Sequence, residues 1–271
     1  MRIKEKRRNS IMNTKRALIF LFSIILVSPA LGLAEVKKEY YPNGMLKAER
    51  RYDNGKLEGI SNEYYEGGKL KYEVHYKGGK QEGITKEYHE SGKLKGEVNF
   101  SGGRLEGVNK AYYENGNLKE AVTFSNGKPE GISKVYYESG KLKEEMSYKD
   151  GKPEGISKGY YESGKLMEEE NYINGEQEGI GKEYYESGKL KAERNYKNDK
   201  QEGITKLYFE SGKLMAEANF KNEKLDGVCK TYYPNGEIQY IDTYQNGQKI
   251  NRKAYDEEGK LQSDQDCPSA K

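Results

Sequence analysis

The chain has 271 residues, of which 34% are charged and 34% hydrophobic, a balance too polar for a compact globular core of that size. Its 25 tyrosines recur at regular intervals, which excludes general disorder because disordered chains are usually poor in aromatic residues. The formal net charge is +3, but 40 basic and 43 acidic residues follow residue 34, and this mixture excludes an electrostatic surface for nucleic acid or anionic lipid.

The N-terminus has the layout of a secretory signal peptide. A basic stretch leads into the apolar segment 17–27, and small residues placed for cleavage precede Glu35. An uncleaved membrane anchor is the alternative, since residues 17–34 carry no charge and about 18 apolar residues can just span a bilayer, although Pro29 argues against it. We predict that residues 1–34 are a signal peptide and that the chain is exported to the periplasm, the cell surface or the medium. Membrane contact is expected only through this segment, if it stays uncleaved.

A 24-residue repeat begins directly after this segment. The phrase Tyr-Tyr-x-x-Gly-Lys-Leu recurs with variations, and its glycines are Gly44, Gly68, Gly92, Gly116, Gly140, Gly164, Gly188, Gly212, Gly236 and, one residue early, Gly259. A second phrase, Gly-Lys-x-Glu-Gly-Ile, alternates with the first, and its later glycines are Gly59, Gly83, Gly107, Gly131, Gly155, Gly179, Gly203 and Gly227. Two glycine-marked corners in each repeat predict two strands in each repeat.

The residues between the corners alternate with the period of a β-strand. Leu70, Tyr72 and Tyr76 alternate with charged or polar residues, and dipeptides such as Asn54-Gly55 are typical of tight hairpin turns. If Gly67 and Gly68 form a two-residue turn, Tyr65 lies opposite Leu70 and Gly59 opposite Tyr76. The same register pairs opposite charges, at Lys38 with Glu49, Lys86 with Glu97, Lys134 with Glu145, Lys158 with Glu169, Lys182 with Glu193 and Lys206 with Glu217.

We therefore predict an all-β fold: a single-layer, elongated, twisted antiparallel sheet of tandem 24-residue β-hairpin repeats. The array occupies residues 35–261, of which residues 237–261 form a degenerate C-terminal cap, and residues 262–271 form a polar tail. One face carries the recurring leucines with an aromatic column, and the other carries Ile60, Tyr64 and their equivalents. Each repeat contacts only its neighbours, so stability should be nearly additive.

The two phrases, repeated in register, resemble the variant MORN repeats of bacterial proteins, often catalogued as YwqK-type antitoxins. The resemblance covers about residues 36–261. It implies an array of antiparallel hairpins with no cofactor and no active site, and a role in binding a partner protein. A protein that neutralises a cytosolic toxin needs no signal peptide, so we expect the antitoxin role only if the target is also exported.

The residues offer little chemistry for catalysis. The acidic column Glu58, Glu82, Glu106, Glu130, Glu154, Glu178, Glu202 and Asp226 repeats one environment, whereas paired catalytic carboxylates need two different environments. His75 and His89 are the only histidines and lie in different columns without a ligand cluster, so no metal site is predicted. We expect no enzymatic activity, no catalytic residue and no cofactor.

A second tyrosine column has two interpretations. Its rings can pack across strands, and they can also form a contact face for a partner; the column is Tyr41, Tyr65, Tyr113, Tyr137, Tyr161, Tyr185 and Tyr233. The partner expected is a protein. The alternative is a cell-envelope ligand, in which the tyrosine ladder stacks on the sugars of peptidoglycan or another glycan.

The two cysteines are also open to two interpretations. Cys229 and Cys267 can form a disulfide in an oxidising compartment, or they can remain as two unpaired thiols.

Overall fold

A computed structural model of the protein describes residues 34–267. Within this range the chain forms one open antiparallel sheet of 28 strands and has no helix, so the predicted fold class is confirmed. The described range accordingly has no helix long and apolar enough to cross a membrane. Residues 1–33 of the predicted signal peptide, which spans residues 1–34, lie outside the described residues, and the signal peptide stays a prediction.

The first half of the sheet consists of β1 (Glu35–Tyr40), β2 (Leu46–Asp53), β3 (Lys56–Leu57), β4 (Gly59–Tyr64), β5 (Leu70–Lys77), β6 (Lys80–Gln81), β7 (Gly83–Tyr88), β8 (Leu94–Ser101), β9 (Arg104–Leu105), β10 (Gly107–Tyr112), β11 (Leu118–Ser125), β12 (Lys128–Pro129), β13 (Gly131–Tyr136) and β14 (Leu142–Lys149). The second half consists of β15 (Lys152–Pro153), β16 (Gly155–Tyr160), β17 (Leu166–Ile173), β18 (Glu176–Gln177), β19 (Gly179–Tyr184), β20 (Leu190–Lys197), β21 (Lys200–Gln201), β22 (Gly203–Tyr208), β23 (Leu214–Lys221), β24 (Lys224–Leu225), β25 (Gly227–Tyr232), β26 (Ile238–Gln245), β27 (Gln248–Tyr255) and β28 (Leu261–Asp266).

The strands pair in chain order. Within a repeat, a six-residue strand such as β4 pairs with the following eight-residue strand, β5, and β5 pairs in turn with β7 of the next repeat. The two-residue strands, such as β6, continue the first strand of each repeat towards the tight corner. Because every connection is a hairpin, the array is built from local contacts between neighbouring repeats.

The predicted strand register is confirmed away from the glycine-lysine corner. Gly59 pairs with Tyr76 and Ser61 with Val74, and the predicted Lys–Glu pairs occupy opposite positions, as with Lys38 and Glu49. The tight corners are also as predicted: Asn54 (φ 49°) and Gly55 (φ 73°) both have positive φ angles, the geometry of a type I′ turn.

The two-residue turn predicted at Gly67-Gly68 is wrong. Leu70 pairs with Tyr64 rather than Tyr65, because the register shifts by one residue at a bulge next to this corner. The amide of Tyr65 donates to the carbonyl of Lys69, and the amide of Gly68 donates to the carbonyl of Tyr65, both at 2.8 Å. These bonds close a three-residue loop that ends on Gly68 at φ 83°, so the wide corner needs a glycine at that position.

The most buried side chains lie on the face of the leucine and aromatic columns. Ala48 and Ser157 are 1% and 2% exposed, and a column of small residues that includes Ser61 is buried beside the aromatic rings. On the same face, glycines such as Gly59 lie opposite aromatic residues such as Tyr76. The opposite face, with Ile60 and its equivalents, stays open to solvent.

The C-terminal end continues the sheet further than its sequence suggested. β27 is one unbroken eight-residue strand where Asn251 and Arg252 replace the glycine-isoleucine pair, so this repeat lacks the separate two-residue strand. The segment expected as a polar tail from Gln262 forms most of β28, which pairs with β27 as far as Asp266. β28 is therefore the second edge of the sheet, opposite β1.

Candidate functional site

The candidate tyrosine column joins each repeat to the next through its hydroxyl groups. Each hydroxyl donates to the backbone carbonyl at the end of a strand in the following repeat, as Tyr137 does to Tyr160 and Tyr185 does to Tyr208. The bonds are 2.6–2.9 Å long and involve all seven tyrosines of the column, from Tyr41 to Tyr233. A structural role for the column therefore has direct support.

The rings of this column are also partly covered. All are half-buried, and a lysine ammonium lies over several of them, for example Lys143 at 5.5 Å from the Tyr137 ring centroid and Lys71 at 5.4 Å from that of Tyr65. Burial raises the phenol pKa of Tyr137 and Tyr161 above the usual value. Part of each ring remains open to solvent, and the role of the column as a contact face stays a prediction.

Two repeats break the tyrosine column. Phe209 has the ring without the hydroxyl, so it cannot donate to the next repeat. His89 places its Nδ1 atom 2.8 Å from a carboxylate oxygen of Glu114, while its Nε2 atom is buried without a hydrogen-bond partner among the described residues. The column is thus a repeated structural bond with two natural interruptions.

The acidic column serves the tight corners. The carboxylate of Glu130 accepts a hydrogen bond from the backbone amide of Asp150 at 2.8 Å, and Glu154 does the same for Asn174. Equivalent bonds come from Glu58, Glu82, Glu106, Glu178 and Glu202. Each carboxylate thus holds the first residue of the next repeat's turn, a charge-assisted bond that suits a structural rather than a catalytic group.

A row of alternating charges crosses the whole exposed face. This charge ladder consists of Lys38, Glu49, Asn62, Glu73, Lys86, Glu97, Lys110, Ala121, Lys134, Glu145, Lys158, Glu169, Lys182, Glu193, Lys206, Glu217, Lys230, Ile241, Lys253 and Asp264. Ion pairs form along it, at 3.0 Å between Lys230 and Glu217 and 3.3 Å between Lys134 and Glu145. The hydrogen bond from Lys230 lowers the carboxyl pKa of Glu217. Such exposed pairs contribute about 0.2–1 kcal/mol each, and like charges do not meet directly.

Beside the charge ladder runs a row of exposed aliphatic side chains that sequence reasoning did not single out. This aliphatic row consists of Val36, Ile60, Ile84, Val108, Ile132, Ile156, Ile180, Ile204 and Val228. Their exposed fractions lie between 40% at Ile60 and 60% at Ile204. Every member except Val36 follows the glycine of the second phrase, and every member lies two positions from a ladder residue, which puts both rows on one face.

The positions between the aliphatic residues are polar and mostly small. Ile132 pairs with Ser147, and Ile180 pairs with Asn195, so each aliphatic side chain has a short polar neighbour across the strand pair. Since neighbouring strands lie about 4.8 Å apart, successive aliphatic residues are about 10 Å apart along the sheet. The signal in the sequence was the recurring Gly-Ile pair opposite a column of Asn, Ser and Thr.

The described residues hold no group of three His, Cys, Asp or Glu side chains placed to bind a metal. His75 and His89 each lie near one carboxylate, at 3.6 Å from Glu73 and 2.8 Å from Glu114. The most buried ion is Asp242 in the cap, which accepts two hydrogen bonds of 2.7 Å from Arg252 and lies 3.0 Å from Lys249. These contacts neutralise the carboxylate and fasten β27 to β26.

Of the two alternatives for the cysteines, the structure has the unpaired thiols. Cys229 pairs with Asp242, Asp242 with Arg252, and Arg252 with Gln265, so Cys229 and Cys267 lie three strands apart. Three strand spacings amount to about 14 Å, whereas a disulfide needs Cα atoms about 4.4–6.8 Å apart. In this register the two cysteines of one molecule cannot be bridged.

Comparison with known proteins identifies the repeat. A family model described as "MORN repeat variant" matches nine consecutive segments, residues 36–54, 57–77, 81–101, 105–126, 129–150, 153–174, 177–198, 201–222 and 225–246. The match ends before residues 247–261. In that segment the repeat is one residue shorter, and Asn251 replaces the later glycine of the second phrase. No curated protein matches the sequence.

Similar solved structures are remote. TcdB2-TccC3-TEV is similar over 86% of this chain at 15% identity with a TM-score of 0.21, and the chain spans 16% of that structure's length. A porin-like protein from Bacteroides uniformis is similar over 86% of this chain and 93% of its own, at 9% identity and a TM-score of 0.20. At such low TM-scores neither similarity bears on the function of this chain.

Proposed function

Since the chain belongs to the MORN repeat variant family, we propose that it is an exported, non-enzymatic scaffold that binds another protein along the aliphatic row. The observation that carries this proposal is the exposure of nine aliphatic side chains in register on one face. Aliphatic side chains that contribute nothing to a core are typical of a binding surface when they form an extended array.

The surroundings of the row favour a protein as its partner. The charge ladder, one step away, supplies both signs of charge along the full length of the face. A partner with an apolar group every 10 Å or so, flanked by charges of both signs, could contact several repeats at once. An α-helix with one apolar residue in every seven rises about 10.5 Å between them, which is close to the repeat spacing.

Simultaneous contact with several repeats would also raise affinity. Each repeat offers one aliphatic side chain and a few charges, which alone make a weak contact. Neighbouring repeats are held in fixed register by backbone pairing and by the tyrosine hydroxyl bonds, so a second contact costs little further ordering.

Binding of peptidoglycan or another glycan through the tyrosine column has weaker support. The hydroxyls of that column donate within the protein, and lysines such as Lys143 cover part of the ring surface. Sugar stacking needs open aromatic faces. The aliphatic row offers no such faces. Crosslinking in the native cells distinguishes glycan binding from protein binding.

The signal-peptide pattern before Glu35 supports export of the chain. The proposal therefore places the protein in the periplasm, at the cell surface or in the medium. An antitoxin role of the YwqK type would require an exported target. The absence of catalysis is supported by the family and by the structural use of the acidic column, whose carboxylates hold turns.

The proposal is tested by crosslinking the full chain in its native cells and identifying captured molecules by mass spectrometry. The test variant carries Ile132→Ser, Ile156→Ser and Ile180→Ser, which change exposed side chains and leave the backbone pairing in place. We expect one protein to be captured by the unmodified chain and at least about tenfold less of it by the variant. Loss of a binding hot spot worth about 1.4 kcal/mol weakens affinity about tenfold, and larger losses weaken it further.

The matched control carries Thr123→Ser and Ser147→Thr, polar exchanges between the aliphatic residues of the same face. Circular dichroism should show that both variants keep the strand content of the unmodified chain. Equal capture by the triple variant would contradict the proposal. Recovery of sacculi or glycan fragments in place of a protein would favour the glycan alternative.

A further inference from the structure

In the described part of the chain, the sheet ends in two edge strands of equal length. β1 and β28 each contain six residues, and within the described range each pairs with one neighbouring strand, β2 and β27. The outer side of each strand presents unpaired backbone N–H and C=O groups, which can template pairing with another strand. All six residues of β1 and five of the six residues of β28 are exposed.

The charge ladder starts and stops at these edges with opposite signs. It begins with Lys38 on β1 and ends with Asp264 on β28. Inside the ladder, Lys86 has an acidic residue on each side, Glu73 and Glu97. Each terminal ion has one such neighbour among the described residues, at 3.2 Å for Lys38 and 3.3 Å for Asp264, and both side chains are nearly half exposed.

We propose that copies of this chain join head to tail, with β28 of one copy pairing antiparallel with β1 of the next. Pairing of Asp264 with Lys38 continues the alternation of the ladder across the junction and supplies the missing neighbour of both ions. The occupant of each edge is thus a second copy, and this inference is independent of the proposed partner on the aliphatic row.

The register of the junction is the one that joins successive repeats inside the chain. Between repeats, Glu49 pairs with Asn62 and Ala48 with Glu63. Asp264 and Ser263 occupy the equivalent places on β28, and their counterparts on β1 are Lys38 and Glu39. The template therefore sets Asp264 opposite Lys38 and Ser263 opposite Glu39, and neither pair places like charges directly opposite each other.

Pairing of like edges is less favourable. Two β1 strands paired through their centres would place Lys37 opposite Lys38. Two β28 strands paired in the same way would place Asp264 opposite Ser263 and Asp266 opposite Leu261, which leaves both carboxylates without an opposite charge. Only the mixed junction matches opposite charges. Because it joins two different surfaces, it does not close on itself, and the expected product is an open-ended assembly.

The register is tested by disulfide crosslinking between two purified full-length chains in which Cys229→Ser and Cys267→Ser remove the natural thiols. One chain carries Glu39→Cys and the other, with an affinity tag, carries Ser263→Cys, the pair equivalent to Ala48 and Glu63. Directly opposite residues have Cβ atoms about 4.5–5.5 Å apart, near the range for a disulfide. In the control mixture Gln265→Cys replaces Ser263→Cys, and this diagonal pair lies about 7–8 Å apart.

We expect the in-register mixture to form at least about tenfold more mixed disulfide than the control. Equal yields from the two mixtures would overturn the proposal.

Sedimentation of the unmodified chain gives a second test. The mean size of the particles should rise with protein concentration and fall as salt screens the junction ions. A single monomeric species at every concentration and salt level would also overturn it. Adding the Ile132→Ser, Ile156→Ser and Ile180→Ser substitutions should leave the crosslink unchanged, which separates this junction from the partner-binding face.

Discussion

Loss of one hydroxyl from the tyrosine column should weaken one junction between repeats. In Tyr137→Phe the ring stays, but the 2.7 Å bond to the carbonyl of Tyr160 is lost. A neutral hydrogen bond contributes about 0.5–1.5 kcal/mol net, and the abandoned carbonyl is only half-buried, so a loss of about 1 kcal/mol is expected. Phe209→Tyr makes the reverse change, because it restores the hydroxyl that this repeat lacks.

Hydrogen exchange followed by mass spectrometry measures this effect locally, which matters because long repeat arrays do not unfold in a single step. Amides around Tyr160 should exchange about fivefold faster in Tyr137→Phe, the factor that corresponds to 1 kcal/mol. Amides around Tyr232 should exchange more slowly in Phe209→Tyr. Unchanged exchange in Tyr137→Phe, or faster exchange around Tyr232 in Phe209→Tyr, would refute the role assigned to these hydroxyls.

Two further predictions concern the turns and the pH dependence of stability. Glu223 has a φ of 64° where most repeats have glycine, so Glu223→Gly should stabilise the array by about 0.5–1 kcal/mol in urea denaturation, and a loss of stability would contradict this. Burial raises the phenol pKa of Tyr137 and Tyr161 above the usual 10.0, so the unfolded chain loses these protons first and stability should fall as the pH rises above about 10. Unfolding midpoints measured from pH 8 to 11 should show this decline, and a constant midpoint would count against buried, hydrogen-bonded phenols.

The strand register was predictable because several features of the sequence agree on it. The 24-residue period, the alternation around Tyr72 and the opposite charges at Lys38 and Glu49 all require the same pairing. The wide corner was not predictable in the same way. The Gly67-Gly68 dipeptide is compatible with a two-residue turn. The three-residue loop forms instead because a bulge next to the corner shifts the strand pairing by one residue.

The candidate site was only partly accessible from the sequence. The tyrosine column was visible as a repeat, but its hydroxyl bonds join residues 23 positions apart across a corner whose geometry was not known, as with Tyr137 and Tyr160. The sequence placed Ile60 and its equivalents on the second face of the sheet, but their exposure was not predicted. Isoleucine in a strand normally indicates burial, and only the open face of a single-layer sheet leaves Ile180 58% exposed.

Site-specific photo-crosslinking in the native cells tests the binding face most directly. One probe replaces Ile156 in the aliphatic row, and the other replaces the exposed Glu162, which lies next to Tyr161 and leaves its hydroxyl bond to Tyr184 intact. A scaffold that binds through the aliphatic row should capture its protein partner from position 156 and little or none of it from position 162. Capture from position 162 alone would contradict this and would assign the contact to the tyrosine column.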